Sequence, residues 1–309
     1  MDVHAHYITP SLRQAMIAAG HDRPDGMPAI PDWNVRDTLA FMDATGIAVS
    51  MLSVSSPGVH LGDASFTRIL ARKVNEEGAA VVHAHPGRFG LLASLPLPDV
   101  EAAVAEAAYA LDVLHADGIV LLTNYDNVCM GDPVFDPLMA ELDRRRAVVL
   151  LHPTSPAGWH DTCLGRPRPM IEFLFDTTRA VTQLALNRVL ERYPDIRFII
   201  PHGGAALPVL ADRIAAFAFT ESDPPVDFVA ALGKLYYDVA GFVLPRTLPA
   251  LLGLVGPEQL LYGSDHPFTA SWIAEGLART LATNDVLTPD GTQLLISGNA
   301  AGLFPRLRP

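Results

Sequence analysis

Seven short runs, each 6 to 9 residues long and most of them apolar throughout, recur along this chain: 47–54, 89–97, 118–123, 147–152, 196–202, 234–240 and 259–265. A strand with one wet face alternates apolar and polar residues. A strand that is apolar on both sides is buried on both, as in a parallel sheet covered by helices. Longer amphipathic segments separate the runs, at 34–46, 63–78, 99–114, 136–145, 171–193, 207–219 and 270–282. The first of these runs from Asn34, a good N-cap, to Gly46, a natural stop. The second runs from Asp63 to Gly78. With Val3–Tyr7 as an opening strand, the order is βαβα throughout, and eight such units fill 309 residues. A (β/α)8 barrel needs about 250 residues. An open doubly wound sheet uses the same alternation, so the placement of polar residues has to decide between them.

Those residues favour the barrel. The chemistry of such a fold gathers at the C-terminal ends of its strands. Here strand 1 ends in His4 and His6, strand 5 in His152, strand 6 in His202 and strand 8 in Asp265. Residues i and i+2 of a strand point to one side, so His4 and His6 can chelate a single ion that His152 and Asp265 close from across the barrel. The expected fold is α/β, a (β/α)8 TIM barrel with a metal site at the C-terminal face of the strands, formed by residues 1–309 as one domain. Only Met1, Asp2 and Val3 precede His4, which predicts a very short first strand.

The same tetrapeptide, VHAH, returns at 82–85. It follows a helix and precedes a strand, on the opposite side of the barrel, so His83 and His85 are expected not to bind metal. His21, His60 and His160 fall on rim loops, within possible reach of a substrate. The donor set of three imidazoles and a carboxylate suits zinc first and manganese as the alternative. Two-metal barrels of this kind commonly bridge their ions with a carboxylated lysine at the end of strand 4, but here that strand ends in Thr123, Asn124 and Tyr125. One divalent ion is therefore expected.

The net charge of −12 argues against nucleic acid or an anionic membrane as partner, since both would repel it. No apolar run is long enough to span a bilayer. The two cysteines, Cys129 and Cys163, are distant and form no CxxC, which fits a cytoplasmic protein.

Several longer stretches carry a family resemblance: DVHAHY (2–7), LLHPTSP (150–156), FDTTRAV (175–181), RYPDIRFIIPHGGAALP (192–208) and LLYGSDHPF (260–268). They resemble the amidohydrolase 2 branch of the amidohydrolase superfamily, which holds nonoxidative decarboxylases related to aminocarboxymuconate semialdehyde decarboxylase. GHDRPDGMPAIPDW (20–33) and PTSPAGW (153–159) are most similar to 6-methylsalicylate decarboxylase-like members. The resemblance covers nearly the whole chain. It implies that His4, His6, His152 and Asp265 hold one zinc or manganese ion and that His202 is an acid/base beside it. It also implies a homodimer or homotetramer.

The expected activity is metal-dependent, nonoxidative decarboxylation of a small, 2-hydroxy-aromatic carboxylic acid, a carboxy-lyase reaction. Asp265 would protonate the ring carbon before CO2 leaves, with His202 assisting, and no organic cofactor is needed. The alternative is a hydrolase or hydratase acting on a lactone or amide through water activated at the metal, which the same residues can serve. Trp33, Trp159 and Phe268 on rim loops are candidates to hold an aromatic ring. Asn124, Tyr125 and Phe242 follow strands 4 and 7 and are candidate pocket walls. Arg166 and Arg168 are candidate partners for a substrate carboxylate. Loop packing or a solvated surface accounts for each of these equally well.

Overall fold

Eight strands form the main sheet, each expected run supplying one, and a separate antiparallel pair joins Asn124–Tyr125 to Val128–Cys129. The eight are β1 (Asp2–His6), β2 (Ser50–Ser53), β3 (Phe89–Ser94), β4 (Gly118–Leu122), β5 (Val148–His152), β6 (Arg197–Ile200), β7 (Tyr236–Asp238) and β8 (Leu260–Leu261). The computed structural model describes residues 1–307, so positions 308 and 309 of the expected domain lie outside the described residues. Each of β1 to β8 pairs in parallel with its neighbours in that order. Three backbone bonds then join the two ends of the sheet: Val3 N to Tyr262 O at 2.9 Å, Asp265 N to His4 O at 2.8 Å and His6 N to His266 O at 2.8 Å. The result is a (β/α)8 barrel. β1 has five residues, an ordinary strand length, because pairing with β2 begins at Asp2.

The period of two along each strand divides the core. Leu121, Leu151 and Ile200 point outward to the helices, whereas Val120, Leu150 and Ile199 point into the barrel. Ala300, Leu303, Phe304 and Leu307 pack on this inner set and plug the end opposite the strands' C-termini. Each leucine or phenylalanine among them removed from water contributes about 1.5–3 kcal/mol. The plugged end leaves one open mouth.

Two helix expectations need correction. The helix expected to stop at Gly78 runs on from Ala64 to Ala84. Gly78 is a packing glycine, since a Cβ there would lie 2.8 Å from Leu91 Cδ1 and 3.0 Å from the Tyr7 hydroxyl. The second VHAH therefore finishes a helix, with His83 in its last turn and His85 as its cap. The segment expected as one helix over 171–193 is two, Glu172–Leu186 and Val189–Arg192, parted at Arg188, whose φ is 57°. Among the described residues, no helix is long and apolar enough to cross a membrane.

Candidate metal centre

β1 delivers His4 and His6 to the barrel interior, both fully buried. Their Nε2 atoms lie 3.1 Å apart. Asp265 Oδ1 is 3.2 Å from His6 Nε2 and 3.7 Å from His4 Nε2. His152, the last residue of β5, completes the group, its ring centroid 4.9 Å from that of His6 and 5.3 Å from that of His4. One ligand atom from each of these four residues falls within 4.8 Å of all the others.

The outward nitrogens explain what the inward ones need. His4 Nδ1 donates to Asp238 Oδ2 at 2.8 Å, and His152 Nδ1 donates to the carbonyl of Pro153 at 2.7 Å. His6 Nδ1 donates to Ser53, whose own hydroxyl is spent on the carbonyl of Ala5. Each neutral ring thus turns an Nε2 lone pair inward, towards a carboxylate. Three acceptors and an anion facing one another call for a cation. Zinc ligands about 2.0–2.1 Å from the ion at tetrahedral angles sit about 3.3 Å apart, close to the spacings here. The residues fit one divalent ion.

The electrostatics agree. Burial would push His4 down, but Asp238, Asp265 and Asp2 outweigh it and hold its pKa at about 9. Burial pushes His6 down and His152 well down. Burial would raise Asp265, yet its contact with His6 and the charge at His4 hold it well below the carboxylate range. The carboxylate stays ionised and the surroundings of His4 favour positive charge, as a site built for a cation requires.

Asp238 organises the centre. Besides His4, it accepts the backbone N–H of His202 at 3.1 Å and of Ala240 at 3.0 Å, tying together the ends of β1, β6 and β7. Asp2, buried in β1, does the same at the seam. It accepts the N–H groups of His4 and Ser264 and the hydroxyls of Ser50 and Ser264, and burial raises its pKa to about 6. Sequence reasoning missed Asp238, Asp2 and Ser53. The available signal was an acid or hydroxyl inside a run read as a buried strand. Gly263 lies against the same group, because a Cβ on it would fall 2.8 Å from His4 Cβ and 3.3 Å from Asp238 Cγ.

His202 stands next to the cluster, its ring 5.2 Å from that of His4. Its backbone is left-handed at φ 57°, as is that of Asp265. Its Nδ1 is buried without a hydrogen-bond partner, and burial lowers its pKa.

A cavity of about 710 Å³ opens over these groups, with His152, His202 and Asp265 on its wall. Phe268 and Phe242 line it as expected from sequence, and the Phe268 ring meets His6 edge-on at 5.5 Å. The other expected pocket residues do not line it. Trp33 packs on Tyr7 at 6.0 Å. Asn124 donates to Asp176 at 2.9 Å, and the Tyr125 hydroxyl accepts the N–H of Leu122 at 3.0 Å, so both are tied inward as structural residues. Trp159 stacks on His160 and carries the Arg168 guanidinium 4.0 Å above its ring. Arg166 is exposed. His21, His60 and His160 also lie off the cavity wall, which instead includes Asp25, Ser55, Ser56 and Thr269.

A parallel barrel with a three-histidine, one-aspartate cluster at its open mouth defines a metal-centred member of the (β/α)8 class. The chain belongs to the amidohydrolase family, whose model matches residues 1–306. It is 34% identical over 317 residues to the 6-methylsalicylic acid decarboxylase of Penicillium expansum, covering all of this chain and 97% of that protein. A crystal structure described as amidohydrolase II shares 39% identity at a TM-score of 0.95, covering 98% of this chain and 99% of the other. The dihydroxybenzoic acid decarboxylase of Polaromonas, solved with manganese and the inhibitor 2-nitroresorcinol, has the same fold at 22% identity and a TM-score of 0.85, covering all of this chain and 98% of that one.

Proposed function

We propose that this protein is a metal-dependent, nonoxidative decarboxylase of a small 2-hydroxy-aromatic carboxylic acid. The observation that carries the reading is the four-ligand cluster opening into a cavity walled by Phe268, Phe173, Val243 and other apolar side chains. A flat ring fits such walls. The name of the Penicillium relative, 34% identical along the whole chain, points the same way.

His4, His6, His152 and Asp265 hold one divalent ion, zinc by donor chemistry or manganese as in the Polaromonas protein. When bound, the ion supplies Lewis acidity towards a carboxylate and an ortho oxygen. The apolar walls fix the ring and exclude water. Asp265 takes up a proton at Oδ2, the oxygen that accepts from Thr269 Oγ1 at 3.2 Å, and passes it to the ring carbon bearing the carboxylate. The new C–H bond forms, the bond to the carboxylate breaks, and its electron pair restores the aromatic ring as CO2 leaves. His202, neutral at rest and with Nδ1 uncommitted, relays the replacement proton from solvent to Asp265.

We further read the chain as a single domain in a cytoplasmic homodimer or homotetramer, a reading supported by the unpaired cysteines and the family membership. The test is CO2 release by metal-loaded protein from a panel of hydroxybenzoates that includes 6-methylsalicylate, alongside lactones followed by acid release. CO2 formation that is lost in Asp265→Ala supports the reading. Acid release without CO2 assigns the hydrolase alternative instead.

A further inference from the structure

Apart from the histidines of the metal centre, the charged side chains on the cavity wall are Asp25 and Asp265; among the described residues no lysine or arginine lines it. Asp265 faces the ligand cluster. Asp25 belongs to a different element, the short turn Pro24–Gly26, and has a left-handed backbone at φ 52°. It is 7% exposed, and its Oδ1 accepts the Ser155 hydroxyl at 2.5 Å. Arg168 lies behind this turn, off the cavity wall, and reaches Asp25 only through the shared Ser155 hydroxyl. Arg168 directs Nε to Ser155 Oγ at 3.0 Å and lays its guanidinium on Trp159.

Three neutral imidazoles, one carboxylate and a divalent ion leave a single positive charge, which one substrate carboxylate neutralises. A second anionic group in the same cavity meets apolar walls, the neutral side chains of Ser55, Ser56, Thr247 and Thr269, and Asp25, with no lysine or arginine to offset its lost hydration. We infer that this site selects monocarboxylic arenes and rejects dicarboxylic ones, and that Asp25 is a specificity-determining residue that enforces the rejection. The inference rests on the decarboxylase reading for which end of the substrate faces the metal. Like charges brought together in a poorly solvated site discriminate strongly, so ring substituents are expected to be apolar or hydroxyl.

The test compares zinc-loaded protein acting on 2-hydroxy-6-methylbenzoate and on 2-hydroxy-6-carboxybenzoate. It also measures the binding of benzoate and phthalate, which lack the ortho hydroxyl, by calorimetry. The dicarboxylates are expected to be about 100-fold poorer in both kcat/KM and affinity. Asp25→Asn removes the charge and keeps a residue type that tolerates the left-handed region. It should raise the dicarboxylate-to-monocarboxylate ratio about tenfold. Comparable use and binding of both classes, or an unchanged ratio in Asp25→Asn, overturns the inference and leaves the decarboxylase reading intact. If benzoate binds and phthalate does not, while no acid yields CO2, the charge selection stands and the decarboxylase reading falls.

Discussion

His4 Nδ1 donates to Asp238 Oδ2 across 2.8 Å, a contact between β1 and β7 that solvent does not reach. It fixes the tautomer that leaves Nε2 free for metal, and its negative charge strengthens the imidazole as a ligand. Asp238→Asn keeps the shape and loses the charge. Metal affinity should fall about 10–100-fold, as such outer partners generally contribute, read by competition with a chromogenic chelator. An affinity equal to that of the parent would remove Asp238 from this role.

The stripped protein should respond to pH in a way the loaded protein does not. His4 is held at about 9 without metal, above its ordinary 6.5. A raised pKa contributes stability that is fully present below the unfolded value and disappears as pH rises through the folded one. Thermal stability of the stripped protein should therefore decline between pH 6.5 and about 9. Bound metal keeps the ring neutral and flattens this decline. Parallel melting curves for the two forms across that window would refute the protonated His4.

Gly263→Ala tests the tightness of the centre. The added methyl would sit 2.8 Å from His4 Cβ, so the β1 ligand strand or Asp238 must move. Overpacking of this kind costs about 1–3 kcal/mol. The variant should purify with substoichiometric metal by elemental analysis and melt at a lower temperature. Full metal content at an unchanged melting temperature would mean that the centre tolerates the shift.

His202→Asn separates proton transfer from metal binding. His202 is not a member of the ligand cluster, and asparagine accepts its left-handed backbone. Metal content should stay at the parent level while kcat falls about 100-fold or more, the usual contribution of a general acid or base. A kcat within a few-fold of the parent would sink the relay.

The four-residue cluster was legible in the sequence because strand arithmetic is local. His4 and His6 share a face by spacing alone, His152 ends β5, and Asp265 lies in the loop just after β8. Their supports were not legible. Asp238 meets His4 across 234 positions of chain, and no pattern near either residue announces the contact. Nor does a position on the rim give a side chain's direction. Asn124 and Tyr125 follow β4 as expected, but buried Asp176 on the helix Glu172–Leu186 holds Asn124 and Thr123, turning this loop into framework. Asp25 stayed hidden because its importance comes from what the rest of the cavity wall lacks.

Two of the three rungs that close the barrel run through residues of the candidate metal cluster: the N–H of Asp265 to the carbonyl of His4, and the N–H of His6 to the carbonyl of His266. Three of the four cluster residues, His4, His6 and Asp265, are therefore mounted on the clasp of the cylinder. Their spacing cannot drift while the ring stays shut, and loosening at this joint would scatter the ligands before it disturbed the helices. Turnover in this molecule thus doubles as a gauge of whether the ring is whole.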